Sequence, residues 1–80
     1  MTIAEATAQR ILGLCKERNI TINKISNMSG VTQSTVNDIV SGTTANPGVA
    51  TIQKLCDGLD ITIRGFFDCD LFDDLEPALK

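Results

Sequence analysis

Histidine, tryptophan and tyrosine are absent from these 80 residues, and phenylalanine occurs only three times. Without histidine, general acid–base catalysis and the Ser-His-Asp arrangement lack their central member. The sequence also offers no glycine-rich phosphate loop and no carboxylate pair that would define a catalytic pocket. Neither an enzyme nor a cofactor is expected. The three cysteines, Cys15, Cys56 and Cys69, are odd in number and widely spaced. That excludes the usual zinc spacings and argues against a disulfide framework, so no metal is expected either. Cys15 and Cys56 fall on apolar helical faces and read as core residues, while Cys69 reads as an exposed thiol. A hydrophobic complement of aliphatics with few aromatics suits helix-on-helix packing better than a sheet sandwich. No apolar run approaches a membrane span, and residues 1–10 lack the basic-then-apolar layout of a secretory signal. The expectation is a cytoplasmic protein with no membrane partner.

These 80 residues are expected to make one domain with a modest core, with no room among them for a second effector or catalytic unit. The net charge of −3 is unevenly distributed. Residues 1–56 carry +2 and residues 57–80 carry −5. The acidity belongs mostly to the C-terminal end, and the rest is mildly basic.

Local signals then divide the chain into helices. Thr2-Ile3-Ala4-Glu5 is a capping box, followed by Ala8, Ile11, Leu12 and Cys15 on one helical face. Lys16 and Arg18 suit the last turn of this helix, which should end near Asn19. Thr21 caps a second helix with Ile22, Ile25 and Met28 inward, and Ser29-Gly30 stops it. Thr32 caps a third, with Val31 and Val36 as a hydrophobic staple and Val36, Ile39 and Val40 as the inward stripe. Gly42 closes it. Two short helices over 21–29 and 33–41, joined by a glycine-containing turn, form a helix-turn-helix pattern. After a polar loop over 43–46, Asn46-Pro47 reads as an N-cap with proline at the first helical position. Ile52, Leu55, Cys56 and Leu59 form the face of a fourth helix ending near Gly58. Thr62 opens a short fifth helix with Ile63, Phe66 and Phe67, which Gly65 weakens by about 1 kcal/mol relative to alanine. Leu71, Phe72 and Leu75 make one further amphipathic turn among aspartates.

In order and spacing these residues resemble the lambda-repressor and Cro class of helix-turn-helix domains (XRE-like), over about residues 8–67. The carriers are Ile20-Thr21, Ile25-Ser26, Ser29-Gly30-Val31-Thr32, Ser34-Thr35-Val36, Ile39, Ser41-Gly42, Asn46-Pro47, Ile52, Leu55, Leu59, Ile61-Thr62 and Phe66-Phe67. The resemblance implies an all-α, compact five-helix DNA-binding domain over 1–67, followed by a short acidic C-terminal tail over 68–80. It further implies that the helix over 33–41 lies in the major groove of double-stranded DNA. The start of the preceding helix (Thr21, Asn23, Lys24) and the following loop (Thr43, Thr44, Asn46) would contact phosphates. Members of this class are often homodimeric repressors or autoregulators. Two departures stand out. The first position of the second helix, often a polar residue such as Gln, is Ile22, and the third helix has no Lys or Arg.

With Val36, Ile39 and Val40 inward, helical geometry puts Ser34, Asp38 and Ser41 opposite, flanked by Gln33, Thr35 and Asn37. Gln33, Ser34, Thr35, Asn37 and Asp38 are therefore the candidate base-reading residues. Gln and Asn can pair with adenine, Ser and Thr serve either base, and Asp can accept from cytosine N4. Gln33, at the helix N-terminus, is best placed to reach a base edge. Arg10 and Lys16 would assist at longer range. With so few cations, the expected salt dependence is shallow, about two to four charges per monomer, and a dimer must supply affinity. The acidic tail reads either as a solubilising end that repels non-specific DNA or as a contact surface. In the second reading Phe66, Leu71, Phe72 and Leu75 form the candidate dimer or protein-partner contact. The competing function is a protein-interaction module that keeps this fold without binding DNA, favoured by Asp38 and the acidic balance.

Overall fold

Among the described residues, threonine starts four of the five α-helices. In a computed structural model, which describes residues 1–42 and 47–79, Thr2, Thr21, Thr32 and Thr62 are the N-caps of α1 (Ile3–Glu17), α2 (Ile22–Ser29), α3 (Gln33–Ser41) and α5 (Ile63–Phe67). Each threonine is extended, and each hydroxyl accepts from the backbone N–H three residues on. This satisfies one of the amide donors that a helix start leaves without an internal partner. At α1 the box is reciprocal. Glu5 Oε1 accepts from the Thr2 amide at 2.8 Å while Thr2 Oγ1 accepts from the Glu5 amide at 3.1 Å.

The remaining helix, α4 (Val49–Leu59), departs from expectation at both ends. Its N-cap is Gly48, with no side-chain capping bond, and Pro47 stands before the helix rather than at its first position. Glycine is an acceptable cap, and proline stiffens the approach to it. Asn46 lies outside the described residues. At the other end α4 continues through Gly58 to Leu59, and Asp60, at φ 58°, takes the left-handed position. Gly58 serves a different purpose, because α2 crosses α4 there and leaves no space for a side chain.

Left-handed residues follow α1, α2 and α3 as well. Gly30 (φ 70°) stops α2 and Gly42 (φ 80°) stops α3. After α1, Asn19 (φ 54°) fills this role, and the Ile20 amide then donates back to the Cys15 carbonyl at 3.0 Å. Ile61 does the same to Cys56 at 3.0 Å. Both isoleucines lie half-buried against the core, the apolar contact that accompanies this type of helix end.

The core gathers Ile11, Leu14 and Cys15 of α1, Ile25 of α2, Val31 of the turn, Val36 and Ile39 of α3, Ile52, Leu55, Cys56 and Leu59 of α4, and Phe66 of α5. Two inward assignments change. Leu12 is 44% exposed while Leu14 is buried, because the buried stripe of α1 centres on Ile11 and Leu12 stands about 100° away from it. Met28 is exposed, and Ser26 and Ser29 take the inner side of α2 instead. These small residues let α2 approach α4 closely, and their hydroxyls stay satisfied. Ser29 Oγ donates to the Ile25 carbonyl at 2.7 Å, and buried Ser26 Oγ donates to the Val31 carbonyl across the turn.

After α5 the chain makes a short 3-10 turn, Asp70–Phe72, against α1. Phe66, Phe67 and Phe72 stack, with Phe67 edge-on to both others at 4.9 Å between ring centres. The Glu76 amide donates to the Met1 carbonyl at 3.0 Å, so this segment folds back along the first helix. Arg10 is engaged here too. Its Nε donates to the Phe66 carbonyl at 2.7 Å and its Nη2 to the Gly65 carbonyl at 3.0 Å, closing the C-terminal end of α5.

Candidate nucleic-acid interface

The turn between α2 and α3 fixes one helix face toward solvent. Gly30 reverses the chain, Val31 buries beside Val36, and Thr32 starts α3. With Val36 and Ile39 inward and Val40 half-buried, Gln33, Ser34, Thr35, Asn37 and Asp38 are all exposed. They form a polar surface capable of donating and accepting hydrogen bonds. Not all of it is equally free. The Thr35 hydroxyl lies 2.8 Å from that of Thr32, and Asp38 takes part in an interaction within the protein.

On the neighbouring helix, Thr21, Asn23 and Lys24 are exposed at the start of α2. Thr21 Oγ1 accepts from the Lys24 amide at 3.0 Å, and its hydroxyl proton can still be donated outward. Asn23 Nδ2 donates to Gln33 Oε1 at 3.0 Å, joining the beginnings of the two helices through their side chains. The polar partner for Gln33 thus comes from the second position of α2. The first position holds Ile22, which packs against the core. Thr43, Thr44 and Asn46 lie outside the described residues.

Asn27 was not legible as part of this surface. It donates through Nδ2 to Asn23 Oδ1 at 3.1 Å. The available signal was its spacing, four residues after Asn23 on the same helical face. These side chains border a cavity of about 410 Å³ at the turn, lined by Asn23, Ser26, Asn27, Gly30, Val31, Thr32 and Gln33.

Among the candidate contact residues at the C-terminal end, the structure removes Phe66 from the surface. It is fully buried, because α5 drives its ring into the core beneath α1 and α4. Phe67, the adjacent ring, is 39% exposed. Leu71, Phe72 and Leu75 are half-buried, and Cys69 is half-buried rather than exposed. Arg10, a candidate for long-range phosphate attraction, has its guanidinium committed to α5. Burial pushes the Cys15 and Cys56 thiols up from their ordinary range and keeps them protonated. Among the described residues no cluster of His, Cys, Asp or Glu could hold a metal ion, and no helix is long and apolar enough to cross a membrane.

The chain is 33% identical over 61 residues to the HTH-type transcriptional repressor RghR of Bacillus subtilis (strain 168). That alignment covers 76% of this chain but 45% of RghR, so the chain spans less than half of that relative. It is also similar to the crystal structure of the prophage Lp1 protein 11, with a TM-score of 0.81 and 32% identity, covering 94% of this chain and 99% of that one. Residues 13–66 match the Helix-turn-helix family, a span that holds α2, the turn, α3 and α4 entire, and the chain belongs to that family.

Proposed function

We propose that this protein is a sequence-specific regulator of transcription that lays α3 in the major groove of double-stranded DNA. The observation that carries this reading is the Asn23–Gln33 hydrogen bond, which ties the start of α2 to the first residue of an exposed, polar α3. In this motif the N-terminal residues of the second helix reach base edges while the first helix crosses the backbone. Gln33, Ser34, Thr35, Asn37 and Asp38 read bases. Thr21, Asn23 and Lys24 contact phosphate, as do Thr43, Thr44 and Asn46 of the following loop. The similarity to RghR, named as a transcriptional repressor, supports repression or autoregulation as the outcome.

The active species is a homodimer working in the cytoplasm, since one copy of α3 carries no cation to strengthen a single half-site. The dimer contact is the C-terminal surface of Leu71, Phe72 and Leu75, with Phe67 as its most exposed ring. The test is selection from random duplexes by the purified protein at low salt. A two-fold symmetric motif with half-sites about 34 Å apart is the expected product. Absence of any enriched motif, with the protein folded, overturns this reading.

A second reading keeps the fold and replaces DNA by a protein partner. It is favoured by the position of Asp38 on the outward face of α3, where a phosphate backbone repels a carboxylate. Substitution separates the two. Gln33→Ala and Asn37→Ala abolish operator binding under the first. Under the second both are inert, and changes at Phe72 and Leu75 disrupt the partner complex.

A further inference from the structure

Three primary amides stand in file across the turn. Asn27 Nδ2 donates to Asn23 Oδ1 at 3.1 Å, and Asn23 Nδ2 donates to Gln33 Oε1 at 3.0 Å. Resting on the reading that α3 enters the major groove, we propose that Asn27, which lies outside the reading helix, sets which end of the Gln33 amide faces the bases. Asn27 is a positioning residue and touches no base itself.

The file is matched in polarity from end to end. Each amide has a donor end and an acceptor end, and neighbours in a file must present opposite ends to each other. Asn27 offers its NH2, so Asn23 turns its carbonyl toward Asn27 and its own NH2 toward Gln33. Gln33 must then give its carbonyl to Asn23, which leaves Nε2 directed away from that bond as a donor. The backbone supports the arrangement. Asn23 and Asn27 are four residues apart on α2, and Gln33 is the first residue of α3, phased by Gly30 and by the Thr32 cap.

An outward donor selects among bases. Purine N7, guanine O6 and thymine O4 are acceptors in the major groove, whereas the polar group of cytosine there is the N4 donor. The base beneath Gln33 is therefore acceptor-bearing, with cytosine disfavoured by about tenfold, the size of one well-placed readout contact.

The decisive variant is Asn27→Asp. A carboxylate has no donor, so Asn23 reverses to donate to it and shows its carbonyl to Gln33. Gln33 reverses in turn and directs Oε1 outward. Two measurements read this. In nitrogen-15 NMR spectra of the free, folded protein, one Gln33 side-chain amide proton moves downfield in Asn27→Asp as it becomes hydrogen-bonded. In binding to duplexes varied one base pair at a time across the selected half-site, the preference of the wild type against cytosine at one position narrows to nothing or inverts in Asn27→Asp, beyond any uniform loss from the added charge. The uncharged Asn27→Leu breaks the file and relaxes the preference without inverting it. Unmoved Gln33 amide resonances overturn the proposal whether or not DNA binds. So does a loss of affinity that is equal for all four bases. If the resonances move as expected but no duplex is preferred by either protein, the file is real, the DNA reading fails, and the claim about base choice fails with it.

Discussion

Gly58 of α4 faces the backbone of Ser29 in α2 so closely that a Cβ at Gly58 would lie 2.9 Å from the Ser29 Cα and 3.0 Å from its Cβ. Alanine normally gains about 1 kcal/mol over glycine inside a helix. Here the obstacle is backbone on both helices, which yields little, and overpacking of that kind costs about 1–3 kcal/mol. Gly58→Ala is expected to lower stability on balance, measured as the midpoint of urea unfolding. An unchanged or higher midpoint would show that α2 can move aside cheaply.

Arg10 joins α1 to the end of α5 through two carbonyls, and its guanidinium stands 6.0 Å from the centre of the Phe66 ring. Hydrogen bonds from a charged donor are worth about 1.5–3 kcal/mol each at most sites, less where water competes. Arg10→Met should lower the unfolding free energy by about 1–3 kcal/mol. Arg10→Lys should recover little, because an ammonium cannot reproduce the fork. The salt dependence of DNA binding should be unchanged in both variants, since this cation is spent inside the fold. A reduced salt slope in folded Arg10→Met would place the guanidinium on DNA instead.

Lys24 is the exposed cation of α2, beside Asn23. Lys24→Ala should weaken binding to all duplexes by a similar factor and reduce the slope of log affinity against log salt by about one. The wild-type slope should correspond to about two to four charges per monomer. Binding isotherms at four or five salt concentrations decide both points, and a sequence-dependent loss would assign Lys24 to base reading.

Glu5 is held below its ordinary carboxylate range, first by the Thr2 amide and then by the Thr2 hydroxyl. A group with a lowered folded-state value contributes stability above its unfolded value and loses that contribution as pH falls through the folded one. Glu5→Gln keeps the acceptor and removes the charge. The wild type should therefore exceed this variant in stability at neutral pH, and the two should converge in acid. Denaturant titrations at neutral and acidic pH check this, and a gap that persists in acid would locate the effect outside Glu5 ionisation.

The parts of this fold that were legible in sequence are those that a few adjacent residues decide. Threonine caps, the capping box and the glycines at 30 and 42 act within one turn of backbone, and the bounds of α3 follow from them. What was misread depends on a distant neighbour. Leu12 and Leu14 are equally apolar, and only the position of the other helices chooses between them. Gly58 looked like a helix stop because its reason, Ser29, lies on another helix. Arg10 looked free because its acceptors come more than fifty residues later. Phe66 looked like a surface contact because an apolar residue near the chain end does not announce which way its ring turns. At the interface, exposure of the α3 face followed from periodicity. The pairing of Asn23 with Gln33 required the angle between two helices, which sequence spacing does not contain.

α2 rests mainly on α4, and α3 rests on α1. The two helices of the motif are therefore supported by the helix that precedes them and the helix that follows them in the chain. Unfolding of either support removes the floor beneath one of the two helices. The consequence is cooperative: loss of α1 or of α4 takes the exposed surface of α2 and α3 with it, so surface and core stand or fall together.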